Sequence, residues 1–258
     1  TAGVDVHLPG GVLTAPQLQV LAELAHTHPA AELLLTDHAG LHLRGDRDRL
    51  TAAISAAGLT VHGRYRRSVL ASPLSGRSGG YADVRAAAVQ VHRRLAAAPA
   101  TVDGTVGLDD GTGDIAALNP DIAVRARADG SWHLLVRGHD TGRVVATADI
   151  VDVLLDPPDG SVPATAPDST VSDSTASPAH PIGWLDRPDG SVVLAGALAD
   201  GILPARLAEF LAAVDTPVIV TPWRSVLLCD LDDHTADQVV RVLAPMGLIF
   251  DENSPHVH

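Results

Sequence analysis

The chain has 258 residues, 46% of them apolar and only 3% aromatic, enough for one large domain or two to three small ones around an aliphatic core. All 18 basic residues are arginine and 31 are acidic, giving a formal net charge of −13; this argues against a nucleic-acid surface, which needs a basic stripe to displace counterions. No apolar run reaches the length of a membrane span, no signal-peptide pattern is present, and the single cysteine, Cys229, excludes within this chain a disulfide framework, a cysteine zinc site and a four-cysteine iron–sulfur cluster. A soluble, cytoplasmic protein is expected.

The chain opens on Thr1, not on methionine, and runs at once into Val4-Asp5-Val6-His7-Leu8, alternating like a strand. A piece of a longer chain, or a trimmed start, is therefore expected. Thr14 and Pro16 suit a helix start, and Leu18, Leu21, Ala22 and Ala25 make one apolar stripe. Residues 31–36 read as a buried strand, 37–40 as a turn and Leu41-His42-Leu43-Arg44 as a second strand. Asp46 opens a helix with Leu50, Ala53, Ile54 and Ala57 inside and Gly58 as its stop.

The middle of the chain reads differently. Residues 69–80 read as a Ser/Gly/Pro loop, 83–97 as an amphipathic helix with Val84, Ala88, Val91 and Leu95 on one face, 105–121 as turn-rich and 131–137 as a strand. Residues 144–155 fit helix or strand. Residues 157–181, rich in Pro, Ser, Thr, Ala and Asp, read as a flexible linker.

The first pattern then returns. Val192-Val193-Leu194 is a strand; Leu207, Phe210, Leu211 and Val214 repeat the stripe of Leu18, Leu21, Ala22 and Ala25 at a shift of 189 positions. Val218 to Thr221 mirrors Leu33 to Thr36, and Val226-Leu227-Leu228 mirrors Leu41-His42-Leu43. Val239, Val242, Leu243, Met246 and Gly247 mirror Leu50, Ala53, Ile54, Ala57 and Gly58, again at 189. Each copy is a β-α-β-β-α unit, about half of a ferredoxin-like fold. Two copies pairing into one sheet would protect the edges that one copy leaves open. The expected fold is α+β: ferredoxin-like half-domains at 1–62 and 182–250 flank a middle α/β domain at 63–156, with a linker at 157–181 and a tail at 251–258.

Seven of the 18 arginines (Arg44, Arg47, Arg49, Arg64, Arg66, Arg67 and Arg77) fall within 34 residues of an otherwise acidic chain. Arginine keeps its charge and grips carboxylates in a bidentate fork, so a discrete anionic ligand is expected there; a solvated surface paired with Asp46 and Asp48 is the alternative. The segment Asp109-Asp110-Gly111-Thr112-Gly113-Asp114 has the composition of a calcium loop but neither the spacing nor the closing glutamate of an EF-hand, and reads as a plain turn. The 13 histidines, among them the pairs His26/His28, His38/His42 and His256/His258, show no convincing third ligand, so no metal site is expected. No nucleophile elbow, P-loop or dinucleotide fingerprint is present.

Leu8-Pro9-Gly10-Gly11, the helix after it, and Leu35-Thr36 leading to Leu41-His42-Leu43-Arg44-Gly45 resemble the opening half-domain of the nitrite/sulfite reductase superfamily. Val69 to Gly76, Asp109 to Asn119 and Thr221-Pro222-Trp223-Arg224 resemble one branch, precorrin-3B synthase of aerobic cobalamin biosynthesis, and the likeness runs through nearly the whole chain. The resemblance implies an oxidoreductase that hydroxylates a tetrapyrrole with molecular oxygen, a 4Fe-4S cluster and, in related reductases, sirohaem. It implies an anionic tetrapyrrole as partner, its carboxylates held by Arg44, Arg64, Arg66, Arg67 and Arg77, with no catalytic residue assigned. Three departures stand against it. The family's Thr-Ser-Arg-Gly turn is here Thr36-Asp37-His38-Ala39, residues 101–108 carry no basic residue, and no cluster cysteines follow Asn253-Ser254-Pro255. The chain is therefore expected to be the N-terminal part of such an enzyme, or a cluster-free homologue that binds a tetrapyrrole or a partner, or a fragment of a sulfite or nitrite reductase.

Overall fold

A computed structural model describes residues 3–27, 33–61, 67–97, 104–156 and 181–255. Of the features read from the sequence, His28, Arg64, Arg66, the linker at 157–181 apart from Pro181, and His256 and His258 lie outside the described residues. The chain divides into two compact units: Thr1–Gly63 with His180–His258, and Arg64–Ala179.

In the first unit, β1 (Gly3–His7) buries Val4 and Val6. A tight turn, Pro9–Gly11, leads into the two-residue β2 (Val12–Leu13). Helix α1 (Ala15–Thr27) starts in a reciprocal capping box: the Gln17 N–H donates to Thr14 Oγ1 at 3.4 Å and the Thr14 N–H to Gln17 Oε1 at 3.0 Å. Its buried face is Ala15, Leu18, Leu21, Ala22 and Ala25, the stripe at helical spacing. Strands β3 (Leu33–Leu35) and β4 (Leu41–Arg44) form a hairpin; α2 (Arg47–Ala56) is capped by Asp46, which accepts the Arg49 N–H at 3.0 Å; β5 (Thr60–Val61) returns beside β1.

The second unit is one five-stranded sheet. It comprises β6 (Arg67–Ala71), α3 (Arg85–Ala97), β7 (Gly104–Asp109), β8 (Ile122–Ala126), β9 (Trp132–Val136), β10 (His139–Val145) and α4 (Ile150–Leu155). Strand order is β10-β9-β8-β7-β6, with β6, β7 and β8 parallel and the rest antiparallel. Two expectations are corrected here, and one left open is resolved. Residues 69–71 are not loop but the buried end of β6: a parallel strand covered on both faces reads as an unbroken apolar run, here Val69-Leu70-Ala71. The first part of 105–121 is β7, disguised by its glycines. The ambiguous 144–155 is both, the end of β10 and then α4.

The first unit is completed by β11 (Gly183–Asp186), β12 (Val192–Ala197), a turn at Ala199–Gly201, β13 (Ile202–Leu203), α5 (Ala205–Ala213), β14 (Val218–Val220), β15 (Ser225–Leu231) and α6 (Asp233–Leu243). The two copies do not share one sheet, as the edge argument had suggested. Each builds its own five-stranded sheet, β13-β3-β4-β1-β5 and β11-β12-β15-β14-β2. The edges are protected by exchange: β2 pairs with β14 of the other copy, and β13 with β3. The exchange is possible because each arm turns sharply. Gly10 and Gly11 have φ of 60° and 75°, and their counterparts Asp200 and Gly201 have 54° and 68°. Gly11 also needs to lack a side chain, since a Cβ there would sit 2.1 Å from the Val220 carbonyl oxygen. Between the sheets' helices, α1 packs on α5, with His26 Nδ1 3.6 Å from Glu209.

The repeat is present, but its shift is not a constant 189. The arm and helix start match at 190 (Ala15 with Ala205), and the hairpins at 185 (Leu33 with Val218). The helix caps match at 186 (Asp46 with Asp232) and the stops at 189 (Gly58 with Gly247). The buried face of α5 is consequently Leu207, Ala208, Leu211 and Ala212, and Phe210 turns outward with Arg206 5.9 Å from its ring centre. Three extra residues between cap and stop likewise rotate Val242 of α6 to the surface, leaving Ala236, Val239 and Leu243 inside.

Candidate functional site

The carboxyl ends of parallel strands are where open α/β sheets gather polar loops. In the second unit, β6 runs out into Ser72 and β7 into Asp109-Asp110. The two loops are stitched together. Ser72 Oγ donates to Asp114 Oδ1 at 2.6 Å and accepts the Asp110 N–H at 3.0 Å, and the Tyr81 N–H donates to the Asp110 carbonyl at 2.6 Å. Asp109, fully buried, accepts the N–H groups of Gly111, Gly113 and Ala116, and Arg125 Nε lies 3.7 Å from it. Asp110, also buried, takes the N–H and hydroxyl of Thr112. Burial pushes the Asp114 carboxyl up to about 6; the Ser72 hydrogen bond opposes this, and the charges of Asp109 and Asp110 add to it.

Oxygens of Asp109, Asp110 and Asp114 lie within 4.8 Å of one another. In the fold these carboxylates organise the backbone N–H groups of a turn, and their spacing departs from that of an EF-hand. His38 bonds to its neighbour Asp37, and His42 on β4 to Asp5 at 2.7 Å; the two do not share a strand face, because His38 sits in the turn between β3 and β4. Cys229 is buried on β15.

The arginines are dispersed over both units. Arg44 closes β4, with Gly3 opposite on β1. Arg67 opens β6, and its Nη1 donates to the carbonyls of Leu154 and Leu155 at 3.2 and 3.3 Å, closing the C-terminal end of α4. Arg77 lies past the other end of β6, a strand roughly 16 Å long at about 3.3 Å per residue. There Asp83 is held below the usual carboxylate range by its hydrogen bond from Arg85, with a smaller contribution from the charge of Arg77.

Reasoning from the sequence missed two features, the equivalence of one turn to another and an exposed tyrosine. The turn Thr221–Ser225 repeats Thr36–Gly40 bond for bond: Thr221 N–H to the Ser225 carbonyl at 2.9 Å and Thr36 N–H to the Gly40 carbonyl at 3.0 Å. Its fourth residue is left-handed in both copies, Ala39 at φ 53° and Arg224 at φ 58°, so an exposed arginine stands in the second turn at the place that is alanine in the first. The other feature is Tyr81, 61% exposed, in a stretch of glycines and serines; a lone aromatic among small residues was its only signal.

The family model of the nitrite/sulfite reductase ferredoxin-like half domain matches residues 2–58. Among solved structures, the chain is similar to the NirA protein of Mycobacterium tuberculosis, with a TM-score of 0.80 and 17% sequence identity; the match covers 96% of this chain and 57% of that one. The chain thus shares the α+β fold of NirA and spans little more than half its length. No curated protein matches the sequence. Among the described residues no helix is long and apolar enough to cross a membrane.

Proposed function

We propose that this chain is the N-terminal, ligand-facing part of a precorrin-3B synthase-like oxidoreductase and that it binds an anionic tetrapyrrole. The observation that carries the reading is the half-domain match at 2–58 joined to a NirA-like fold over 96% of the chain. The proposed carboxylate-binding residues are Arg44, Arg64, Arg66, Arg67 and Arg77, each able to hold a carboxylate in a two-pronged grip. Arg67 would do so while also anchoring α4. In the superfamily, sirohaem and a 4Fe-4S cluster supply the redox chemistry. The cluster does not fit this chain: four thiolates are needed, and the sequence offers only Cys229, which is buried. No redox step is therefore assigned to these residues. What they contribute is binding and orientation of the macrocycle.

A second reading, a cluster-free tetrapyrrole-binding module, is favoured by the same lone cysteine and by the turn Thr36-Asp37-His38-Ala39, which has His38 where the family's turn carries arginine. Both readings require the macrocycle to bind. Titration of the chain with sirohaem or uroporphyrin, followed by absorbance, tests them together. Saturable binding that weakens about tenfold in the double variant Arg44→Gln, Arg77→Gln, and weakens with added salt, is expected. Absence of binding to the unaltered chain would remove both.

A further inference from the structure

We infer that Tyr81 and Arg125 form a platform that receives a planar, anionic ring, the aromatic face stacking on Tyr81 and an acidic substituent meeting Arg125; as a tetrapyrrole site this rests on the proposed function. The two side chains are brought to one residue, Gly111, just past the carboxyl end of β7. A Cβ on Gly111, which has φ 109°, would lie 2.3 Å from Tyr81 Cδ2, so the tyrosine ring rests against bare backbone. Arg125 Nη2 donates to the Gly111 carbonyl at 3.3 Å. Its position over Gly113 is equally close, with Nη2 3.1 Å from where a Cβ would stand. Both glycines are thus matched to a side chain lying across them.

The tyrosine is placed and yet presented. Its backbone N–H is bound to the Asp110 carbonyl at 2.6 Å, while 61% of the residue stays in solvent. A tyrosine fixed on one side by backbone loses little further freedom when a second ring lies on the other. Arg125 supplies the charge: its side chain is 27% exposed, its Nε lies 3.7 Å from buried Asp109, and a planar guanidinium held along one edge by a carbonyl is oriented in advance for a carboxylate. The ligand class that matches both groups is a flat ring system bearing carboxylates.

The test uses the full chain and two probes, uroporphyrin and pyrenetetrasulfonate, each followed by its own fluorescence anisotropy. Uroporphyrin is expected to bind Tyr81→Leu three- to tenfold more weakly, by about the range of an aromatic pair, while Tyr81→Phe binds like the unaltered chain. Arg125→Lys, which keeps the charge but loses the fork, is expected to weaken binding with Tyr81 intact. Thermal melts of Tyr81→Leu should match the parent, since the ring is exposed. Equal uroporphyrin affinity for the parent and Tyr81→Leu overturns the platform and leaves the tetrapyrrole reading standing. No uroporphyrin binding at all overturns the tetrapyrrole reading, and the platform is then judged on pyrenetetrasulfonate alone: loss of its binding in Tyr81→Leu supports the platform, and no binding, or equal binding, overturns it.

Discussion

At the scale of single residues, the most informative group is Asp114. Its pKa in the fold is about 6 against 3.8 for the free side chain, so the folded state holds the proton more tightly than the unfolded one. The stability this contributes is fully present below about pH 4 and is lost as pH rises through 6. Between pH 7 and pH 5 the chain should therefore gain about 1.4 kcal/mol from this group, roughly one pKa unit's worth. Asp114→Asn keeps an acceptor for Ser72 and cannot titrate, so its melting temperature should lack that rise; a variant with the parent's pH response would refute the assignment. Asp232 runs the other way. Hydrogen bonds from Thr235 hold its carboxyl low, and its stabilisation is present above the ordinary carboxylate value and lost as pH falls through the lowered one. Asp232→Ala should destabilise α6 by removing its N-cap acceptor, seen as a lower urea midpoint at pH 7. The cap Asp46 was legible in the sequence because it depends on neighbours within one turn. Tyr81, Arg125 and Asp114 were not, since what sets them apart is a contact with another loop, 14 residues away for Arg125 and 42 for Asp114.

At the scale of elements, the arms that cross between the two copies decide the architecture. Gly11 lies against the Val220 carbonyl in a left-handed conformation, so Gly11→Ala forces both strain and a backbone clash. A loss of about 3 kcal/mol or more is expected. Its counterpart Gly201 meets Arg224 side-chain atoms at 3.2 and 3.3 Å and Leu35's carbonyl only at 3.5 Å. Those atoms can move aside, so Gly201→Ala should cost about 1 kcal/mol, near the conformational term alone. Equal melting temperatures for the two variants would show that the clash is not what matters. The β-α-β-β-α order of each copy was readable from periodicity and caps. The exchange was not, because β2 and β13 are two residues long and carry no period. The shift of 189 failed for the same kind of reason: a single offset cannot represent one that runs 190, 185, 186 and 189 along the chain.

At the scale of the whole molecule, the redox question rests on stoichiometry. Incubating the chain with iron and sulfide under anaerobic conditions should yield no 4Fe-4S chromophore, since one buried thiol cannot replace four. A stable cluster bound to this chain would overturn that. The sequence by itself determined the α+β class, the duplicated half-domain, the acidic charge balance and the lack of cluster ligands, all of which follow from composition, local period and residue counts. Only the tertiary structure decided that the copies close separate sheets by trading strands, and that 69–71 and 104–109 are parallel strands. It alone showed that Arg67 closes a helix end while Arg125 and Tyr81 meet over Gly111. Partners this far apart in the chain leave no mark on local pattern; they are chosen by which surfaces can be buried together.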